Sequence, residues 1–345
     1  MDIITTFRRR KVLSFVFFAF ILSFSSLLLF ASSRERLHGL SDLTRTADLF
    51  RSSGPYKGPY AVVTYLSRQF DGHENDDDND DQYFVGSRLL AYQLLHAPQT
   101  KLETSMPFIV LVTKDVRESK RQRLMKDGAT VVEVDIVEHN VSIPRPNWVD
   151  TFSKMRVFDP TFVPYEKVLY LDTDTVLTRP MDAIFREPNT KPMGSFNETD
   201  RVKEDEGVLP DTFIFAAAGE TLDINHTFPV VENDNPYFNS GLFVYSPSHA
   251  IFNHYLRIFE HTDRWFREAP DQDLLNYAHR WDGPLPWRSL HPSWSVLWPN
   301  ENDLKGGLAA LHVKWWDTHY WVRPVLDYCH GKRWEMEGYW IGRNA

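Results

Sequence analysis

The 345-residue chain carries a net charge of −9, from 38 Lys and Arg against 47 Asp and Glu, and has no long basic stretch beyond its first few residues. That excludes a nucleic-acid binder, which needs a basic footprint to meet phosphates. The single cysteine, Cys329, excludes an intramolecular disulfide and a cysteine-rich zinc site. Aromatic residues make up 14% of the chain, 11 of them Trp; such rings fill cores, and their flat faces also suit sugar rings.

"RRRK", Arg8 to Lys11, precedes an uncharged and largely apolar run, Val12 to Ala31. Its length matches the roughly 20 residues that a helix needs to cross a bilayer. The apolar region of a cleaved signal peptide is usually shorter, about 7–15 residues, so the length favours a retained signal anchor. The basic flank holds the N-terminus in the cytoplasm. The expected organisation is a cytoplasmic tail over 1–11, a transmembrane signal anchor over 12–31, a polar stem over 32–57 and a luminal catalytic domain over 58–345. This describes a single-pass type II protein of the Golgi or another secretory-pathway membrane. Three glycosylation triplets, at Asn140, Asn197 and Asn225, agree with a luminal body.

The luminal part opens with "YAVVTYLS", a strand pattern after a Gly-Pro signal. The acidic run Asp71 to Gln82 lacks the Gly and Glu positions of an EF-hand and reads as a solvated insertion. "YFVGSRLLAYQLLHAP" has helical spacing up to Pro98, and "PFIVLVTKDV" is the short apolar run of a strand covered on both faces. A helix ended by Gly128, the strand "TVVEVDIVE", the helix "NWVDTFSKMRVFD" and the strand "KVLYLDTDTV" follow. This alternation predicts an α/β fold with a mostly parallel central sheet. Beyond it come a looser stretch with "DTFIFAAAGE" as a strand, the strand "YFNSGLFVYSPS" and helices in "PSHAIFNHYLRIFEHTDRWF" and "APDQDLLNYAHR".

Ligands of such sheets bind outside the carboxyl ends of the strands, where "LYLDTDTV" places Asp172 and Asp174. Two residues apart on a strand, the carboxylates point to one face. Like charges so close repel unless a cation sits between them, and hard Mg²⁺ or Mn²⁺ prefers such oxygen ligands together with substrate phosphates. Two chemistries suit the string. In a haloacid-dehalogenase-type phosphatase the first Asp attacks phosphorus and the second is acid/base, but the later GDxxxD-type acidic motif is absent from the sequence. The other is the DxD motif of nucleotide-sugar glycosyltransferases. A non-catalytic sugar-binding protein is a third reading; it does not require a diphosphate-metal site.

"FNSGLFVYSPS", "DQDLLN" and "LHVKWW" follow the DxD in order, and "TFSKMRVFD" precedes it. Over Tyr60 to Asp317 this set resembles glycosyltransferase family 8, the glycogenin-like family. The resemblance implies a GT-A (Rossmann-like) fold and metal-dependent, configuration-retaining transfer of a hexosyl or N-acetylglucosaminyl group from a nucleotide-diphosphate sugar, a UDP-sugar, to a glycan hydroxyl. It implies Asp172, Asp174 and His312 as ligands of Mn²⁺ (or Mg²⁺). Lys154 and Lys314 would neutralise sugar or phosphate oxygens, Asn239 and Ser240 would contact the donor sugar, and Gly241 would let backbone approach it. Asp271 and Gln272 would bind hydroxyls beside the reacting carbon, as the nearest candidates for a nucleophile. Tyr65 would either stack on the nucleobase or pack in the core. The tail "HVKWWDTHYW" departs from the family's HFxGxxKPW: no glycine follows His312 at that spacing, and the lysine is displaced.

Overall fold

The computed structural model describes residues 59–344 apart from 68–80, 140, 143, 145, 199–200, 222, 231–234, 318 and 321. The expected tail, anchor and stem, most of the acidic run and Asn140 lie outside the described residues. Among those described, no helix is long and apolar enough to cross a membrane.

Strands β1 (Tyr60–Leu66), β2 (Phe108–Thr113), β3 (Thr130–Val134), β4 (Lys167–Leu171), β8 (Phe215–Gly219), β9 (Phe238–Tyr245) and β10 (Arg288–Ser289) form a seven-stranded sheet. Their order is β10-β8-β9-β4-β1-β2-β3. β1 pairs in parallel with β2 and β4, β2 with β3, and β10 with β8, whereas β9 runs antiparallel to β4 and β8. The expected α/β class with a mostly parallel sheet is the observed one.

The continuous apolar runs follow from the layering. In β1, Ala61 and Val63 enter the core on one face of the sheet, and Val62 and Leu66 the core on the other. In β4, Val168 and Tyr170 face one way and Leu169 and Leu171 the other. Successive side chains of a strand alternate between faces, so a sheet covered on both sides needs apolar residues at every position.

"KVLYLDTDTV" is two strands, not one. β4 ends at Leu171, residues 172–174 turn, and β5 (Thr175–Leu177) leaves for a second sheet of three strands. There it pairs antiparallel with β12 (Ala310–His312), which pairs in parallel with β11 (Ser295–Leu297). The two aspartates stand on the turn between sheets, so strand alternation does not aim them. β6 (Met193–Gly194) and β7 (Thr212–Phe213) form a separate two-stranded pair.

Helix α1 (Gln82–Leu95) is buried from Phe84 to Leu94. Phe84, Leu90 and Leu94 pack under the large sheet, while Val85, Leu89 and Tyr92 join a third core beneath the small one. A helix buried on every side sits in such an interior, and its buried Arg88 is paired with Asp127 at 2.8 Å. Asp81 caps the helix, accepting from the Phe84 N–H at 3.0 Å and pairing with Lys120 at 2.6 Å. The far end of the acidic run is therefore buried and paired, not solvated. Helix α2 (Glu118–Lys126) ends where Gly128 takes φ +103, a conformation that glycine adopts without steric cost. The expected helix "NWVDTFSKMRVFD" is a run of 3₁₀ turns, Pro146–Phe158.

Helices α3 (His249–Glu260) and α4 (Pro270–Ala278) follow the sequence reading. A short helix, α5 (Glu301–Gly306), and a C-terminal helix, α6 (Arg323–Asn344), are the remaining α-helices among the described residues. The sequence reading had not assigned α6. It closes the third core with Val325, Cys329, Met336 and Trp340, and ties to α1 through Arg88–Glu337 at 3.2 Å and Tyr92–Glu335 at 2.9 Å.

Candidate active site and metal centre

Strand register brings the site together. β4 pairs with β9 up to Leu171↔Leu242, and the ladder runs one step further, with Asp172 N–H donating to Gly241 C=O at 2.8 Å. Asn239, Ser240 and Gly241 therefore lie beside Asp172. In the small sheet, β12 pairs His312 with Thr175, and Val313 N–H donates to Asp174 C=O at 3.1 Å. A residue 140 positions downstream is thus set against the turn by three ladder residues.

Asp172, Asp174 and His312 each offer one ligand atom within 4.8 Å of the others. His312 Nε2 lies 3.2 Å from Asp174 Oδ1 and 3.9 Å from Asp172 Oδ2. Asp174 Oδ1 is buried without a hydrogen-bond partner among the described residues. A buried carboxylate oxygen of this kind needs a positive partner, which a protonated His312, 3.2 Å away, or a bound cation would supply. The imidazole is oriented from behind: its Nδ1 is 2.9 Å from Asn239 Oδ1, which also accepts from Gly241 N–H at 2.9 Å. The backbone donor fixes that atom as the oxygen, so Nδ1 carries a proton, which leaves Nε2 as the nitrogen that a metal ion would take. Two carboxylates and an imidazole nitrogen converging on a buried acceptor fit Mn²⁺ or Mg²⁺. Burial pushes the pKa of His312 down, but Asp174 and then Asp172 outweigh it and hold the ring above its usual value. Asp174 shows the converse: burial raises it, and His312 and Lys314 bring it below the ordinary carboxylate value.

Lys154 sits in the floor of the site. Its Nζ donates to Asp172 at 3.0 Å, Asp271 at 2.9 Å and Ser240 C=O at 2.9 Å, and lies 4.5 Å over the Tyr170 ring. An ammonium has three donors, and all three are engaged by protein acceptors. While these contacts hold, Lys154 has no ammonium hydrogen left over for a ligand. Asp271, in the first turn of α4, also accepts from Ser240 Oγ at 3.1 Å. Gln272 turns inward: its Oε1 accepts from Ser240 N–H at 2.9 Å and Asn239 Nδ2 at 3.1 Å, and its Nε2 donates to Glu220 at 3.2 Å.

The space beside Gly241 is taken up by His312. A Cβ there would lie 2.3 Å from His312 Cε1, so only glycine lets the imidazole pack this closely. Lys314 stands in the field of Asp174 and Asp172; burial lowers its pKa, but Tyr83 and the two aspartates raise it further. Tyr65 packs against the core and donates to Asp150 C=O at 3.1 Å. Burial raises its hydroxyl well above the ordinary range.

Sequence reasoning missed three participants. Tyr170 donates to Asp172 Oδ1 at 2.7 Å, and its place two residues before Asp172 was the available signal. Glu220 follows β8 as Asp172 follows β4, a carboxylate at the end of an apolar strand. Burial raises its pKa, partly offset by the Gln272 bond. Gly86, inside α1, would place a Cβ 2.1 Å from Thr173 C=O. A lone glycine in a helical pattern signals such close packing.

No family model matches the chain. It is 30% identical over 268 residues to the uncharacterized protein C4C3.09 of Schizosaccharomyces pombe, covering 69% of this chain and 69% of that one. It is 28% identical over 265 residues to galactinol synthase 6 of Arabidopsis thaliana, covering 66% of this chain and 75% of the relative. Among solved structures, the bifunctional glycosyltransferase WbbM superposes with a TM-score of 0.47 and 18% identity over 82% of this chain, which spans 52% of WbbM. By its 30% identity over more than two thirds of both sequences, the chain belongs to the family of C4C3.09.

Proposed function

We propose that the chain is a divalent-metal-dependent, configuration-retaining glycosyltransferase that moves a sugar from a UDP-sugar to a glycan hydroxyl in the lumen of the secretory pathway. The observation that carries the reading is the convergence of Asp172, Asp174 and Nε2 of His312 at the ends of two sheets. These three residues would hold Mn²⁺ or Mg²⁺. When bound, such an ion supplies positive charge for the diphosphate as it departs. Lys154 stiffens the carboxylates from below, so that they need no reorganisation during the reaction. Asn239 and Gln272 hold His312 and the start of β9 in place. Asp271 stands at the first turn of α4 beside Ser240 and Asp172, the position from which a carboxylate would meet donor-sugar hydroxyls.

The test is a panel of UDP- and GDP-sugars with the purified chain, reading free nucleotide. UDP release with Mn²⁺ or Mg²⁺ and its loss on chelation are expected. Undiminished release in a chelator would refute the metal, and phosphate release from a generic ester without any nucleotide sugar would favour the phosphatase reading.

The luminal placement rests on the apolar run Val12 to Ala31 and on glycosylation triplets at Asn197 and Asn225, both exposed. In microsomes the body is expected to resist added protease and to lose mass with an N-glycosidase. A body digested without detergent would place it on the cytoplasmic side.

A further inference from the structure

The two carboxylate oxygens of Asp172 have different surroundings. Oδ1 accepts from Tyr170 O–H at 2.7 Å and from Lys154 Nζ at 3.0 Å, whereas Oδ2 lies 3.9 Å from His312 Nε2, on the side of the ligand cluster. A carboxylate oxygen has two lone pairs, so the two donors saturate Oδ1. The lysine alone would not do this: it fills one lone pair, and its ammonium is shared with Asp271 and Ser240 C=O. Tyr170 fills the other from a fixed position. It lies near the end of β4, and its buried ring stacks on Phe243 with centroids 4.7 Å apart and planes 15° apart. Burial, and then the charge of Asp172, raises its pKa well above the ordinary range, so the phenol remains a donor.

We propose that Tyr170 is a positioning residue that restricts Asp172 to one ligand oxygen, Oδ2, and thereby favours Mn²⁺ or Mg²⁺ over Ca²⁺. The selectivity rests on the metal reading above, whereas the hold of Tyr170 on Asp172 does not. Mg²⁺ and Mn²⁺ suit octahedral sites built from single oxygens; the larger Ca²⁺ takes more oxygens in flexible geometry and accepts a carboxylate gripped by both. A two-oxygen grip on Asp172 must first displace the phenol or the ammonium from Oδ1. With the phenol gone, one lone pair of Oδ1 is open to the ion.

The test compares the full chain in detergent with Tyr170→Phe, which keeps the ring and removes the donor. Electron paramagnetic resonance reads free Mn²⁺ in direct titration and in competition with Ca²⁺. Loss of an outer partner of a metal ligand costs about tenfold in affinity at the low end. The variant should therefore bind Mn²⁺ about tenfold more weakly while Ca²⁺ keeps its affinity, so the preference for Mn²⁺ shrinks about tenfold. Equal weakening of both ions, or of neither, would overturn the selectivity. A second arm needs no metal: melting temperatures in chelator for the parent, Tyr170→Phe, Asp172→Ala and the double variant. Tyr170→Phe should lower the midpoint by about 2 °C in the parent and leave it unchanged in the Asp172→Ala background. Equal falls in both backgrounds would overturn the hold on Asp172. A parent that binds no Mn²⁺ would refute the metal reading and the selectivity with it, and the hold would stand or fall by the melts.

Discussion

Replacing Asp172 by asparagine is expected to lower turnover of the donor sugar about a thousandfold, the upper range for losing one preorganised electrostatic group, with little change in stability. The two halves of that expectation have separate causes. Asp172 Oδ1 accepts from Lys154 at 3.0 Å and from Tyr170 at 2.7 Å, and an amide oxygen of the same shape can accept both. The bond to the ammonium keeps its charged donor but loses the ion-pair attraction, about 1 kcal/mol. What asparagine cannot supply is the negative charge that, with Asp174, would hold a divalent ion against a diphosphate. Initial rates at saturating donor and Mn²⁺, together with a thermal melt, separate the two. Parent-like turnover would end the metal reading. A large fall in melting temperature would show that Asp172 is chiefly structural.

The carboxylates were legible in the sequence because a buried strand cannot end in charge without a reason. Their geometry was not. The alternation argument assumed one strand through Val176, whereas the chain leaves one sheet and enters another between Leu171 and Thr175. That break depends on β12, more than 130 residues downstream, which offers β5 a partner. The motif order located Lys154, Asn239, Ser240, Gly241, Asp271, Gln272 and His312, and the structure gathers them around the turn. It could not tell which of them face a ligand. Lys154 and Gln272 are polar residues beside a site by sequence, yet their hydrogen-bonding groups are engaged within the protein. The distinction lies in distances between elements far apart in the chain. The helix α6 escaped notice because its buried positions, Val325, Cys329, Met336 and Trp340, are spread thinly among charged residues. Its core partners lie on α1 and the small sheet, so the strip looks weak until those surfaces are known.

Lys154→Met is expected to destabilise the chain by about 3 kcal/mol, the low end for breaking a buried ion pair, and to abolish most activity with it. Methionine matches the apolar stem, so packing under the Tyr170 ring persists. The loss is the ammonium that three acceptors share: Asp172, Asp271 and Ser240 C=O. The lysine is buried, and burial works against its charge. Asp172 and Asp271 more than restore it, and its pKa stands above the ordinary value. Without it, two carboxylates face each other across a cavity and a backbone carbonyl loses its donor. Both aspartate side chains keep partial contact with water, which places the cost at the lower end. Arginine would return the charge as a planar fork, longer than the ammonium and unable to point three donors at converging acceptors, so Lys154→Arg should recover only part of the loss. Urea unfolding with an unchanged m value measures the difference cleanly. A methionine variant as stable as the parent would show that the floor of the site stands without its cation, and the stiffening role given to Lys154 would fall with it.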